Sequence, residues 1–151
     1  MTAAALAAII AAATGAPVAV GHSACPDQPE AAGCADKARV YVNPSLYGAE
    51  RRRVLLHELM HLADFRGMVA PQARRRFARS QGRSDRAWWR GKRPIAEWYA
   101  EAGAYCLLSR RDRDFAGLWV GFDGRLRAAY HWRPNRRQRR AACAQIRGML
   151  A

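Results

Sequence analysis

The strongest pattern in the chain is a run of apolar residues at helical spacing between residues 49 and 65. Glu50 lies in the predicted first turn, and Gly67 supplies a stop after the last apolar position. The apolar residues that recur every three or four positions are Val54, Leu55, Leu59, Leu62 and Phe65. This spacing predicts an amphipathic helix that buries one face.

Weaker patterns predict the other elements. Residues 38–42 alternate and are rich in β-branched and aromatic side chains, which predicts a short strand followed by a turn. Further amphipathic helices are expected after Pro94 and after Pro134-Asn135, with a glycine-broken loop or short hairpin over residues 112–125. The predicted fold class is therefore α+β and mainly helical, with a short N-terminal strand or small sheet.

The N-terminus has the composition of a secretory leader. Residues 2–20 carry no charge and consist mainly of Ala, Ile, Leu and Val, and Ala19 and Gly21 put small residues at the positions that a signal peptidase inspects. We expect residues 1–21 to be a signal peptide or hydrophobic leader, leaving a secreted or extracytoplasmic domain over residues 22–151 with no stable membrane span. Because no Lys or Arg precedes the apolar run, an uncleaved membrane anchor or a buried Ala-rich helix stays open.

Four cysteines, an even number, fit an oxidising compartment. Cys25 and Cys34 flank a Pro- and Gly-containing segment that a disulfide could close. Cys106 and Cys143 lie in the two later predicted helices and could join them. None of the spacings is C-x-x-C, so the pattern does not favour a thiolate zinc site. Four reduced, buried thiols are the alternative.

Positive charge is concentrated in the second half of the chain. Lys and Arg number 26 against 12 Asp and Glu, a net charge of +14. Residues 1–65 hold five basic and six acidic residues, so residues 66–151 carry +15, nearly all from Arg. This half could contact phosphate or another anionic polymer. It could equally form solvated helix faces, since the arginine runs lack the interleaved aromatic residues that base stacking uses, which disfavours nucleic acid.

The predicted helix over residues 49–65 carries the chemistry-bearing motif, His57-Glu58-Leu59-Met60-His61. Residues four apart on a helix lie one turn apart on nearly the same face, so His57 and His61 can reach one metal ion. The carboxylate of Glu58 then lies beside the metal without ligating it, where it can accept a proton from a polarised water.

A catalytic zinc ion takes three protein ligands, so the two histidines need a third. The remaining histidines, His22 and His131, lie outside the marked helices, whereas Glu97 and Glu101 are one turn apart on the next strong helix. We expect Glu97 to ligate the metal and Glu101 to accept the second ring N–H of one imidazole, fixing its orientation. A solvated helix surface is the alternative interpretation of this pair.

Together, HELMH at residues 57–61 and EWYAEA at residues 97–102 resemble the zincin metallopeptidases of the gluzincin kind. The E-aromatic-aromatic-A-E-A portion is similar to the catalytic domain of anthrax lethal factor. The resemblance implies a minimal zincin-like domain in which the two motif-bearing helices pack together. It also implies that His57, His61 and Glu97 bind one Zn²⁺, that Glu58 is the general base, and that Glu101 supports a ligand from behind.

The resemblance implies two further features. The strand over residues 38–42 would align an extended peptide substrate by edge pairing. A side chain near the metal would stabilise the oxyanion, and here the chain departs from lethal factor, which has a Tyr shortly before its glutamate ligand where this sequence has Arg90. The residues that could replace that donor are Tyr105, Tyr130, His131, Arg90 and Arg93.

Two functions follow from the sequence. The first is a zinc peptidase that hydrolyses a peptide or amide bond in a peptide or protein substrate. The alternative is a basic binding module for nucleic acid or another anionic polymer, in which any zinc is structural or vestigial. A combination of the two would use the Arg-rich half to steer an acidic substrate to the zinc site.

Overall fold

Helices outweigh strands in the computed structural model of the protein, which describes residues 1–91 and 94–151. In chain order, the elements are α1 (Ala3–Thr14), β1 (Ala19–Gly21), β2 (Gly33–Ala35), β3 (Arg39–Val42), α2 (Gly48–Phe65), α3 (Pro71–Ser80), α4 (Ile95–Leu107), α5 (Arg110–Phe115), β4 (Trp119–Val120), β5 (Leu126–Arg127) and α6 (Arg136–Met149). The predicted α+β, mainly helical class is confirmed, and α2, α4, α6 and β3 lie where the residue patterns predict them.

The larger sheet has the order β1-β3-β2, with β1 parallel and β2 antiparallel to β3. Val40 and Val42 of β3 point into the core, as the alternating pattern requires. With residues 1–21 in place, β3 has a partner on each side, so for this form of the chain the expectation that residues 38–42 offer a free edge to a substrate is wrong. The strand that lies at the edge beside α2 is β2.

The packing of α2 against α4 forms the centre of the core. Leu59, Met60 and Leu62 of α2 and Ala100 and Ala102 of α4 are fully buried. The small residues of α4 allow the two helices to approach closely, which brings the two predicted motifs together. On the other side of α4, α6 packs through the buried Ala142 and Ile146.

The C-terminal end of α2 is fixed by a buried carboxylate. Asp64 is only 3% exposed, and its Oδ1 accepts hydrogen bonds from the Arg74 guanidinium at 2.7 and 3.0 Å. Its Oδ2 accepts a hydrogen bond from the indole N–H of Trp88 at 2.7 Å. These contacts join α3 and the segment before α4 to the end of α2.

Both disulfide pairings expected from the sequence are present. Cys25 pairs with Cys34, which attaches β2 to the preceding loop, and Cys106 pairs with Cys143, which joins α4 to α6. Two disulfides suggest that the protein folds in an oxidising environment.

The first 21 residues pack against the rest of the chain. Leu6 and Ile10 of α1 are fully buried in the core, and α1 contacts α2. Within the described residues, none of the helices combines the length and hydropathy that a membrane span needs.

Candidate metal centre

Helix α2 presents both motif histidines on one inward face. His57 and His61 lie one turn apart, with 4% and 7% of their surface exposed. The apolar residues around them, Leu59, Met60 and Leu62, pack into the core and hold this helix in a single orientation. The two imidazoles are therefore fixed by the same packing that forms the core.

Helix α4 provides the two carboxylates. Its first turn follows Pro94, and Glu97 lies in that turn, partly exposed at the mouth of a cleft. Glu101, one turn later, is fully buried. The structure thus brings together His57, His61, Glu97 and Glu101, and the alternative of a solvated helix surface does not hold for Glu101.

Three donor atoms converge at this point. His57 Nε2 lies 3.0 Å from His61 Nε2. Glu97 Oε2 lies 3.2 Å from each of these nitrogens. Three ligands at zinc distances of about 2.0–2.1 Å in a tetrahedral arrangement are separated from each other by roughly 3.3 Å. The triangle therefore has nearly the dimensions of one face of a tetrahedral zinc site, and two imidazoles with one carboxylate are a donor set that zinc accepts.

A chain of hydrogen bonds through Glu101 to Arg53 supports His57 from behind. Its Nδ1 lies 3.2 Å from Glu101 Oε2, and Glu101 Oε1 accepts two hydrogen bonds from the Arg53 guanidinium, at 3.0 and 2.8 Å. The expectation for Glu101 left open which imidazole it supports, and in the structure that imidazole is His57. Arg53 was not identified from the sequence, although its position one turn before His57 on the same face of α2 is a signal that could have found it.

Burial and close charges set the pKa values of the residues in this cluster. Burial alone lowers the pKa of His57, but hydrogen bonds to Glu101 and Glu97 and the charge of Glu58 overcome this effect and raise it to about 9. Burial alone raises the pKa of Glu97, but hydrogen bonds from His57 and His61 bring it down to about 2. The opposite shifts of the two pKa values show that the imidazoles and the carboxylates attract each other at this point.

Glu58 lines the same cleft without joining the three converging donors. It is 5% exposed, and burial raises its pKa although the neighbouring His57 and His61 act in the opposite direction. A carboxylate with a raised pKa is suited to accept and return a proton near neutral pH. Space for it depends on Gly33, because a Cβ there would lie 2.9 Å from Glu58 Cγ.

The cleft around the cluster has a volume of about 500 Å³. Strand β2 and the loop before it form one wall, and Phe65 and Trp89 form another, with their rings stacked at a centroid distance of 4.8 Å. Trp89 also packs against His61, at 5.5 Å between ring centroids. Neither aromatic residue was singled out as part of the site from the sequence. Phe65 was counted among the apolar residues of the predicted helix, and Trp89 lies in a segment without clear periodicity.

Tyr130 closes the cleft over the other histidine. Its ring stacks on that of His57 at a centroid distance of 5.0 Å, and it remains 46% exposed. Tyr130 and His131 both have φ of 56°, a left-handed conformation that is uncommon for residues with a side chain and concentrates at functional sites. Burial and the charges of three nearby glutamates raise the pKa of Tyr130 to about 12, so its phenol keeps its proton and can donate it in a hydrogen bond.

Three other candidate oxyanion donors that the structure describes do not line the cleft. Tyr105 lies elsewhere, with its ring against Trp132 and under Arg113. His131 and Arg90 are exposed at the surface. Arg93 lies outside the described residues. Of the four candidates among the described residues, Tyr130 is therefore the one that the structure brings beside the converging donors.

Comparison of the chain with protein-family models, with curated proteins and with solved structures finds no match. The functional argument therefore depends on the geometry of the cluster and its cleft.

Proposed function

We propose that the protein is a zinc-dependent peptidase of the gluzincin kind, which hydrolyses a peptide or amide bond in a peptide or protein substrate. One observation carries the proposal: His57 Nε2, His61 Nε2 and Glu97 Oε2 form a triangle with edges of 3.0–3.2 Å, in a cleft that also holds Glu58. This combination supplies a ligand set and a proton acceptor at one place.

The number of donors favours a catalytic site over a structural one. Structural zinc sites have four protein ligands, whereas catalytic sites have three and keep one position open. Among the described residues, the candidate group consists of His57, His61 and Glu97 and contains no fourth protein donor. The cleft gives the remaining position access to solvent and to a substrate.

The chemistry that a bound zinc ion would supply is Lewis acidity, which lowers the pKa of water and polarises a carbonyl group. Glu58 takes up the proton of the attacking water and passes it to the leaving amine. The phenol of Tyr130 donates a hydrogen bond to the oxyanion, because Tyr130 lines the cleft and its ring stacks on that of His57. Arg53 and Glu101 keep the His57 ring in its orientation throughout.

Zinc content tests the proposal. We expect purified wild-type protein to bind about one zinc ion per chain and Glu97→Ala to weaken zinc binding by roughly 100-fold or more, because it removes one of three ligands. The measurement is zinc stoichiometry by elemental analysis together with competition against a chromogenic chelator. Chelation should abolish cleavage by the wild type, and added zinc should restore it.

Glu50→Ala is the matched control, because Glu50 is exposed on the same helix as the histidines and does not line the cleft. This variant should bind zinc as the wild type does. Equal zinc affinity in Glu97→Ala and the wild type would exclude Glu97 as a ligand, and the assignment to the gluzincin kind would no longer have support.

The proposal extends to location: the enzyme acts outside the cytoplasm after residues 1–21 are removed. This removal takes away α1, with its buried Leu6 and Ile10, and β1, and it leaves one edge of β3 without a partner strand. The two disulfides support this part of the proposal. We expect protein recovered from the extracytoplasmic fraction of an expressing bacterium to begin at His22, as read by N-terminal sequencing. Ala19→Arg should block processing because the signal peptidase requires a small residue there. A chain that keeps Met1 and stays in the cytoplasm would contradict the expectation.

A further inference from the structure

A second surface feature lies away from the metal centre, along α6. A shallow groove of about 310 Å³ is lined mainly by arginines and contains no acidic residue. The arginines that line it are Arg113, Arg136, Arg139, Arg140 and Arg147. In the described part of the chain, none of these five forms a salt bridge with a carboxylate, although Arg52, Arg53, Arg74 and Arg127 do.

The arginines at the start of α6 oppose the helix dipole. Residues 136–140 include four arginines in the first five positions of the helix, and the first turn contains no acidic residue. The N-terminus of a helix carries a partial positive charge, so cations there are unfavourable and anions are favourable. Asn135 and Gln138 form a capping box that starts the helix in spite of this repulsion. An anion bound in the groove would interact favourably with the partial positive charge of the helix N-terminus, and it would reduce the repulsion between the arginines.

Part of the groove is fixed in advance. The Arg139 guanidinium donates to the carbonyls of Gly124 and Pro134, at 3.1 and 3.2 Å. Arg113 donates to the carbonyl of Leu108 at 3.3 Å. Cys143, which lines the groove, joins α6 to α4 through its disulfide. Guanidinium groups that are held in place before binding lose less entropy when they grip an anion.

The spacing of the arginines indicates a chain of anionic groups. Arg136, Arg140 and Arg147 lie on one side of α6, and at 1.5 Å per residue they extend over about 16 Å along the helix axis. One phosphate ion cannot reach across this distance. Tyr105 is the aromatic residue among those described in the groove, and Arg113 lies over its ring at 4.7 Å from the centroid. The groove therefore offers contacts to phosphate groups and no free ring for a base to stack on.

We propose that the α6 groove binds a linear, base-free phosphate chain through paired guanidinium–phosphate contacts. The contacts are charge-assisted and bidentate, which Arg forms with phosphate oxygens and Lys does not. The binding is independent of the metal centre, so it is separable from the proposed peptidase activity.

Calorimetric titration of the full chain with short-chain polyphosphate tests the proposal. The wild type should bind with an affinity that falls steeply as salt is raised. Arg140→Ala/Arg147→Ala should weaken binding roughly tenfold or more, and should lower the slope of log affinity against log salt by about 1.4, because two phosphate contacts are lost. Arg140→Lys/Arg147→Lys should keep the salt slope and still lose affinity, because charge is retained without the bidentate geometry.

The matched control is Arg75→Ala/Arg76→Ala, which removes the same charge from exposed positions on α3 outside the groove. It should weaken binding by less than about twofold, because screened charges at a distance contribute little. Circular dichroism and zinc content should be unchanged in all these variants, since the substituted side chains are exposed.

Three results would overturn the proposal. Equal weakening by the α3 and α6 variants would show an effect of net charge alone. Poly-glutamate binding as tightly as polyphosphate of equal charge would remove the assignment to phosphate. An oligothymidylate binding more tightly than polyphosphate with the same number of phosphates would show that bases contribute, and would assign the groove to nucleic acid.

Discussion

Glu58→Gln is expected to lower the rate of peptide cleavage by about 10²–10⁴-fold while leaving zinc binding intact. The amide has nearly the size of the carboxylate, so it fits the space beside Gly33 that the buried Glu58 occupies. It cannot accept a proton from the attacking water at neutral pH. The measurements are cleavage of a quenched fluorescent peptide mixture and zinc stoichiometry on the same preparation.

Glu50→Gln provides the control for this variant. It makes the same chemical change on the same helix at an exposed position, and it should cleave at the wild-type rate. Wild-type cleavage by Glu58→Gln would remove Glu58 from the role of general base. Loss of zinc from Glu58→Gln would instead show that Glu58 is a ligand, which its separation from the three converging donors contradicts.

Local sequence pattern predicts the parts of the fold and site that depend on neighbouring residues. The period of the apolar positions gives α2, α4 and α6, and the four-residue spacing within α2 puts His57 and His61 on one face. The same reasoning puts Glu97 and Glu101 on one face of α4. Each of these predictions uses contacts within a single helix, for which the sequence is sufficient.

The parts of the fold and site that depend on residues distant in the sequence could not be predicted from local pattern. Strands β1 and β2 have three residues each and contain Gly, so they exist only because β3 supplies their hydrogen-bonding partners. The placement of Tyr130 depends on two successive left-handed residues and on a hydrogen bond from the Trp98 indole to the Tyr130 carbonyl, at 3.0 Å. Neither feature has a signal in the residue pattern around Tyr130.

The approach of α2 to α4 depends on a pair of residues that sequence reasoning did not connect. The bulk of the Met60 side chain needs space on the facing helix. Gly103 of α4 supplies it, because a Cβ built on Gly103 would lie 2.3 Å from Met60 Cγ and 2.8 Å from its Sδ. The distance between the two helices that carry the converging donor atoms therefore depends on this glycine.

Gly103→Ala is accordingly expected to destabilise the protein by about 1–3 kcal/mol, because the added methyl group cannot fit without moving Met60 or α4. Any movement of α4 also displaces Glu97, so zinc affinity should fall with stability. The measurements are the free energy of unfolding in denaturant and zinc competition. Gly148→Ala is the matched control: a Cβ there meets nothing within 4 Å, so the higher helix propensity of Ala should leave stability unchanged or raise it by up to about 1 kcal/mol.

Combining Gly103→Ala with Met60→Ala tests whether the destabilisation by Gly103→Ala comes from a steric clash with Met60. Met60→Ala alone removes a fully buried side chain and should cost about 2–5 kcal/mol of stability, because it leaves a cavity over Gly103. In the double variant the new methyl group occupies part of that cavity. The loss of stability in the double variant should therefore be smaller, by at least about 1 kcal/mol, than the sum of the losses in the two single variants. Strict additivity would show that Met60 and Gly103 do not set the helix separation, and that the geometry of the metal donors depends on other contacts.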